Sequence, residues 1–115
     1  MIRKASAVWN GTLKEGHGTL STESGVLNET QYSYKTRFED GNGTNPEELI
    51  GAAHSGCFTM QLSAFLAEED FPAESLDTKS EITFEDGVVS KSHLILEGKV
   101  PNISEDKFLE IATKA

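Results

Sequence analysis

Sulfur and positive charge are both scarce in this sequence. It holds one cysteine, Cys57, and two methionines. A single thiol cannot build an internal disulfide framework, which excludes a disulfide-stapled secreted domain and makes a reducing, cytoplasmic setting the expectation. Lysine and arginine number 10 against 19 acidic residues, a formal net charge of -9. That balance argues against nucleic acid or an anionic membrane as partner. The N-terminus, Met1-Ile2-Arg3-Lys4-Ala5-Ser6, lacks the apolar core of a signal peptide, and no run is long enough to cross a bilayer. There is no CxxC, no P-loop and no GxGxxG. His17, His54 and His93 are scattered without metal-ligand spacing. No metal and no cofactor are expected. At 115 residues the chain suits one domain, 1–115, with a modest core.

The most informative stretch is Gly43 to Phe58, which opens the longest helical pattern. Asn45 is a good N-cap, since its side-chain oxygen can accept a first-turn N–H. Pro46 falls at the first helical position, where its fixed φ suits a helix and its missing N–H is not needed. Glu48 lies three residues after Asn45, an Asn version of the capping box, and Glu47 and Glu48 complement the helix dipole. Leu49, Ile50, Ala53, Cys57, Met60, Ala64 and Ala67 recur at three- and four-residue steps, which predicts a helix with that face buried. It should run from Pro46 to about Glu69, roughly 35 Å at 1.5 Å per residue, and stop before Pro72. Gly51, Ala52, Ala53, Ser55 and Gly56 are all small, which suits close packing on a second helix or a sheet.

Around that helix the chain reads as strands, long helix, strands, helix, the element order of an α+β fold. Ala5 to Trp9 alternates, and Asn10-Gly11 signals a hairpin. Gly18 to Glu23 is strand-like, and His17 precedes it in a loop. Gln31 to Glu39 reads as a strand with Tyr32, Tyr34, Thr36 and Phe38 on one face. Asp40 to Gly43 is a loop whose glycines can take positive φ. Leu76 to Phe84 and Val88 to Val100 form a second hairpin about Asp86-Gly87, with Val88, Leu94, Leu96 and Val100 on one side. Ser104 caps a final helix with Phe108, Ile111, Ala112 and Ala115 on its apolar side. That pattern is still in phase at Ala115, so the chain reads as cut short.

Cys57 has two readings. A lone cysteine on an apolar helix face is usually a small buried hydrophobe. A reactive one needs its thiolate favoured by a cation or a helix N-terminus. Cys57 lies about three turns into the helix, beyond first-turn reach of the dipole, so it needs a positive partner. Arg37 is the notable one, beside aromatic residues and just before the loop into the helix. Its planar fork suits a carboxylate, from Glu47 or Glu48. A surface charge and a dipole-favouring residue are the bland readings of Arg37 and Glu47. His54, three residues before Cys57, is either a pairing or a packing histidine.

Three pieces in this order and spacing, Ser21-Thr22-Glu23-Ser24-Gly25-Val26-Leu27-Asn28, then Thr36-Arg37-Phe38-Glu39, then Gly43 to Cys57, resemble the OsmC branch of the OsmC/Ohr family of organic hydroperoxide reductases. The resemblance implies an OsmC-like fold, with antiparallel sheets around a long central helix in an intertwined homodimer. It implies a thiol peroxidase that reduces organic hydroperoxides to alcohols through a cysteine sulfenic acid. Cys57 would be the reactive thiol, Arg37 the cation stabilising it and the peroxide oxygen, and Glu47 the carboxylate orienting Arg37. Phe58 and Met60 would either border the organic group or pack in the core. Glu47 and Cys57 are ten residues apart on one helix, roughly 15 Å of rise, so the site is expected to be shared, with the two supplied by different subunits. The family also carries a resolving cysteine in a Cys-Pro motif after the second helix, absent here. Turnover through a dithiol reductant, a lipoylated protein in the family, is therefore expected to be impaired. The competing reading is a non-enzymatic, stress-related binding protein of the same fold.

Overall fold

A computed structural model describes residues 1–115. The fold is α+β: strands β1 (Ala5–Asn10), β2 (His17–Thr22) and β3 (Thr30–Tyr32), helices α1 (Tyr34–Phe38) and α2 (Pro46–Glu68), strands β4 (Ser75–Glu85) and β5 (Val88–Lys99), and helix α3 (Glu105–Lys114). The strands make two antiparallel sheets, one of order β1-β2-β3 and one of β4-β5. The chain divides into two compact units, Met1–Leu49 and Ile50–Ala115. No helix is long and apolar enough to cross a membrane.

In the first unit, β1 pairs along its whole length with β2, from Ala5 opposite Thr22 to Asn10 opposite His17. His17 is thus the first residue of a strand, not part of the preceding loop. Gly11 takes a φ of +98° just after β1, the left-handed value that favours glycine. The expected strand Gln31–Glu39 is corrected: it stops at Tyr32 and the chain turns into α1. Ser33 is the cause. Its hydroxyl accepts from the Thr36 N–H at 3.4 Å, and Thr36 Oγ1 accepts from the Ser33 N–H at 2.8 Å. This reciprocal cap satisfies helix-end donors that an extended segment would leave to another strand. Tyr34 and Phe38, spaced for one helix face, then stack at 4.8 Å between ring centroids.

The loop into α2 depends on Gly43. Its φ is +111°, and a Cβ there would collide with the Gln31 carbonyl, whose oxygen accepts from Thr44 N–H at 2.9 Å. The cap on α2 is as expected in its first half, with Asn45 Oδ1 accepting from Glu48 N–H at 2.8 Å. Its second half differs, because the Glu48 carboxylate takes the Thr44 hydroxyl at 2.6 Å.

The second unit contains the core. Leu62, Leu66 and Ile111 are fully buried, with Phe58, Phe65, Leu76, Leu96 and Phe108 among those packed around them. This overturns the face assigned to α2. Ile50 and Met60 are 44% and 77% exposed, and Ala53, Cys57, Ala64 and Ala67 are exposed with them. Both stripes have helical spacing, and the β4-β5 hairpin together with α3 takes the one carrying leucine and phenylalanine, which bury more apolar area than alanine. Of the small residues, Gly51 does pack closely on a sheet: a Cβ there would lie 3.3 Å from Ile82 and 3.4 Å from Ser80. Gly56 faces open space.

The β4-β5 turn is Asp86-Gly87 with φ of 52° and 77°, both positive as a tight two-residue hairpin needs. A register shift at Thr83/Phe84 pairs Phe84 with Val89 and Thr83 with Lys91. The extra residue reverses the alternation beyond it, which is why Val88, expected beside Leu94 and Leu96, is 58% exposed. Helix α2 ends where Asp70 takes a φ of 65° and Phe71 N–H bonds the Leu66 carbonyl at 2.8 Å, a left-handed stop that recovers terminal carbonyls. Ser104 caps α3 through Lys107 N–H at 3.1 Å.

Candidate active site

Arg37 stands in the last turn of α1, not on a strand, and the loop through Gly43 returns the chain so that Glu47, in the first turn of α2, meets it. The guanidinium donates from Nε and Nη2 to the same oxygen, Glu47 Oε1, at 3.0 Å each. Glu47 is the carboxylate of the pair, and Glu48 serves the Thr44 hydroxyl instead. The Glu47 side chain is only 12% exposed and that of Arg37 36%, so the contact is partly withdrawn from water. Burying a carboxylate demands a cation or several donors, and here the fixed fork of an arginine supplies two donors at once. The second carboxylate oxygen, Glu47 Oε2, is buried with no hydrogen-bond partner.

Aromatic residues adjoin this pair. Trp9 and Tyr32 meet edge to face at 5.4 Å between centroids and 60° between planes. Arg37 Cζ lies 5.4 Å from the Phe38 ring centroid, and Lys14 Nζ lies 5.7 Å from that of Tyr34. Together Trp9, Leu13, Tyr32, Ser33, Tyr34, Arg37 and Phe38 line a hollow of about 220 Å³. The sequence marked Arg37 as aromatic-flanked. It did not reveal the hollow, because Trp9 and Leu13 come from β1 and the loop after it. The reciprocal cap on α1 was missed too, although Ser33 and Thr36 carry its spacing.

Cys57 is on α2 with an exposed thiol, which removes the buried-hydrophobe reading for the protomer. Helix α2 is unbroken from Pro46 to Glu68, so ten residues of rise, roughly 15 Å, separate Glu47 from Cys57 along it. The other nearby candidates have structural occupations. Phe58 packs against the core, and Met60 lies on the open face of α2. His54 Nδ1 meets Ser92 Oγ on β5 at 2.5 Å.

A family profile described as OsmC-like protein matches residues 39–115. Peroxiredoxin OsmC of Escherichia coli (strain K12) is 46% identical, over 98% of this chain and 82% of that protein. Peroxiredoxin OsmC of Shigella flexneri gives the same values. Among solved structures, the organic hydroperoxide resistance protein OhrB of Bacillus subtilis has a TM-score of 0.64 at 20% identity, over 96% of this chain and 81% of that one. The organic hydroperoxide resistance protein OsmC of Legionella pneumophila has a TM-score of 0.62 at 19% identity, over 96% of this chain and 80% of that one. At those identities the structures establish the fold, and the sequence relatives, with the profile, establish the family: the chain belongs to the OsmC family.

Proposed function

We propose that Cys57 is the peroxidatic thiol of this chain, Arg37 the cation that stabilises the thiolate and the peroxide oxygen, and Glu47 the carboxylate that holds Arg37 in place. Relatedness to a peroxiredoxin at 46% identity over 98% of the chain makes the protein a thiol peroxidase. The observation that supports these roles is the Arg37–Glu47 contact, two guanidinium nitrogens on one largely buried carboxylate oxygen. A surface arginine would gain little from such a grip, whereas a cation that must meet a developing negative charge gains from being positioned beforehand.

The reaction follows from these groups. The Cys57 thiolate attacks the outer oxygen of an organic hydroperoxide. An S–O bond forms, the O–O bond breaks, and the alkoxide takes a proton and leaves as the alcohol. Cys57 remains as the sulfenic acid. The guanidinium faces the charge as it moves from sulfur to the leaving oxygen. With Cys57 the one thiol of this sequence, a dithiol must act on the sulfenic acid directly, which is the impaired route expected above: one thiol displaces water from the sulfenic acid, and the second closes its own disulfide and releases Cys57. A lipoylated protein in the cytoplasm is the reductant we assign.

Each site is shared in a homodimer, Arg37 and Glu47 of one protomer facing Cys57 of the partner subunit. The roughly 15 Å between Glu47 and Cys57 along one helix supports this. So does the exposed apolar stripe of Ile50, Ala53, Met60 and Ala64 around the thiol, a face that a second copy would cover.

The test is intact mass of the reduced protein after one equivalent of cumene hydroperoxide with dimedone present. A rapid adduct at Cys57, lost in Arg37→Ala, is expected. No adduct, with the thiol still titratable in denaturant, would return the chain to the reading of a binding protein.

A further inference from the structure

We infer that His54 is a positioning residue for the peroxidatic thiol: by bonding Ser92 on β5 it fixes the turn of α2 that presents Cys57. The inference rests on the assignment of Cys57 as that thiol. The run just before Cys57, from Gly51 to Gly56, reads Gly, Ala, Ala, His, Ser, Gly. Only Gly51 in it is buried, and side chains this small remove too little apolar area from water to hold a helix on a sheet. The apolar grip on α2 begins after the thiol, with Phe58, Leu62, Phe65 and Leu66. Within the run before it, His54 is the one side chain larger than serine.

That side chain is tied to the hairpin. Nδ1 meets Ser92 Oγ at 2.5 Å, and Ser92 Oγ lies 3.5 Å from Ser80 Oγ on β4. Gly51 lets the helix close on Ser80 and Ile82, which brings the ring within reach of Ser92. After the thiol, Thr59 Oγ1 is hydrogen-bonded to Thr78 Oγ1 on β4 at 2.7 Å. Cys57 is therefore bracketed by two polar anchors, His54 one turn before it and Thr59 just after it. No ion pair competes for the ring. Ser80, Ile82 and Leu94, on the half-buried row with Ser92, are uncharged, and Lys79, Glu81, Lys91 and His93 alternate onto the exposed face. Between Glu48 and Glu68, His54 and Cys57 are the only titratable side chains of α2. A misplacement of 1 Å can slow a positioned reaction about a hundredfold; with the Thr59 anchor kept, release of His54 should slow it about tenfold.

Two rates separate placement from activation. Oxidation of Cys57 by cumene hydroperoxide reads its placement against Arg37, and the pH profile of its alkylation by iodoacetamide reads the thiol's own titration. His54→Ala and Ser92→Ala are each expected to slow oxidation about tenfold, and the double variant no more than either alone, since both remove one contact. His54→Asn is expected to restore the rate, because its amide stands where Nδ1 does and can donate or accept. His54→Gln, whose amide stands where Nε2 does, is expected to stay slow. The midpoint of the alkylation profile is expected to be unchanged in every variant. Should His54→Ala fail to fold, Ser92→Ala and His54→Asn decide. Oxidation within twofold of wild type in Ser92→Ala, additive losses in the double variant, or no rescue by asparagine overturns the inference. A shifted alkylation midpoint in His54→Asn overturns it as well, since the ring would then act on the thiol by charge or proton transfer. Failure of wild-type Cys57 to react with the peroxide would instead overturn the assignment beneath it.

Discussion

Replacing Glu47 by glutamine isolates the charge that holds Arg37 while preserving shape. Nε and Nη2 of Arg37 both bond Oε1 at 3.0 Å. Hydrogen bonds to a charged group contribute about 1.5–3 kcal/mol; with both partners ionised the pair sits at the upper end, and with glutamine, where only the guanidinium is charged, at the lower end. Two such bonds sharing one acceptor do not add in full, and with Arg37 36% exposed water takes up part of the loss. The grip should weaken by about 1–2 kcal/mol on these grounds. A second penalty comes from Oε2, which is buried without a partner. Glutamine can place an amide N–H₂ there and strand two donors, or flip and turn those donors toward the guanidinium. Either outcome adds to the loss. At 1.36 kcal/mol per decade in rate, Cys57 oxidation by cumene hydroperoxide should slow about tenfold in Glu47→Gln. Stopped-flow oxidation under excess peroxide gives the rate, and urea unfolding gives the stability. A rate within twofold of wild type, with an unchanged unfolding midpoint, would show that Arg37 is held by other means and refute the role given to Glu47.

Two further outcomes follow from local structure. Ser33→Ala removes the hydroxyl that caps α1, at a cost of about 1 kcal/mol; because α1 carries Arg37, peroxide reactivity should fall while the far-UV spectrum is almost unchanged, and full activity would show that α1 needs no cap. The third concerns Glu69, whose carboxylate is held below its ordinary value of 4.5 chiefly by the hydrogen bond from Lys107, which is itself raised above 10.5 by Glu69. Nζ and Oε1 are 2.7 Å apart. A carboxylate lowered in the folded state stabilises above its unfolded pKa and loses that contribution as pH falls through the folded one. The lysine's share is present below 10.5 and fades above. Wild type should therefore melt above Glu69→Gln between about pH 5 and 10, with the gap closing in stronger acid. A gap constant from pH 3 to 7 would refute the assignment.

What the sequence determined by itself were features whose causes lie within a few residues. Asn45 and Pro46 announce the start of α2, Asp86-Gly87 the tight hairpin, and Ser104 the cap of α3, because a cap or a turn is satisfied by its immediate neighbours. The run from Gly43 to Cys57 marks the family, and Glu47 and Arg37 stand out in the sequence as candidates. The strand expected through Arg37 failed at the same level: Tyr34 and Phe38 fit one face of a strand or of a helix, and the Ser33–Thr36 exchange settles it for the helix. Other questions were decided only in three dimensions. Helix α2 carries two stripes at helical spacing, and only its packing with the β4-β5 hairpin and α3 shows that Leu62 and Leu66 go inside while Cys57 stays accessible. The hollow required Trp9 and Leu13 to come beside Tyr32 and Tyr34. The choice between Glu47 and Glu48 for Arg37 required the loop to turn at Gly43. Each is a contact between residues far apart along the chain, and which of several competent surfaces meet is settled by the burial and ion pairing available to the fold as a whole, not by any local stretch of residues.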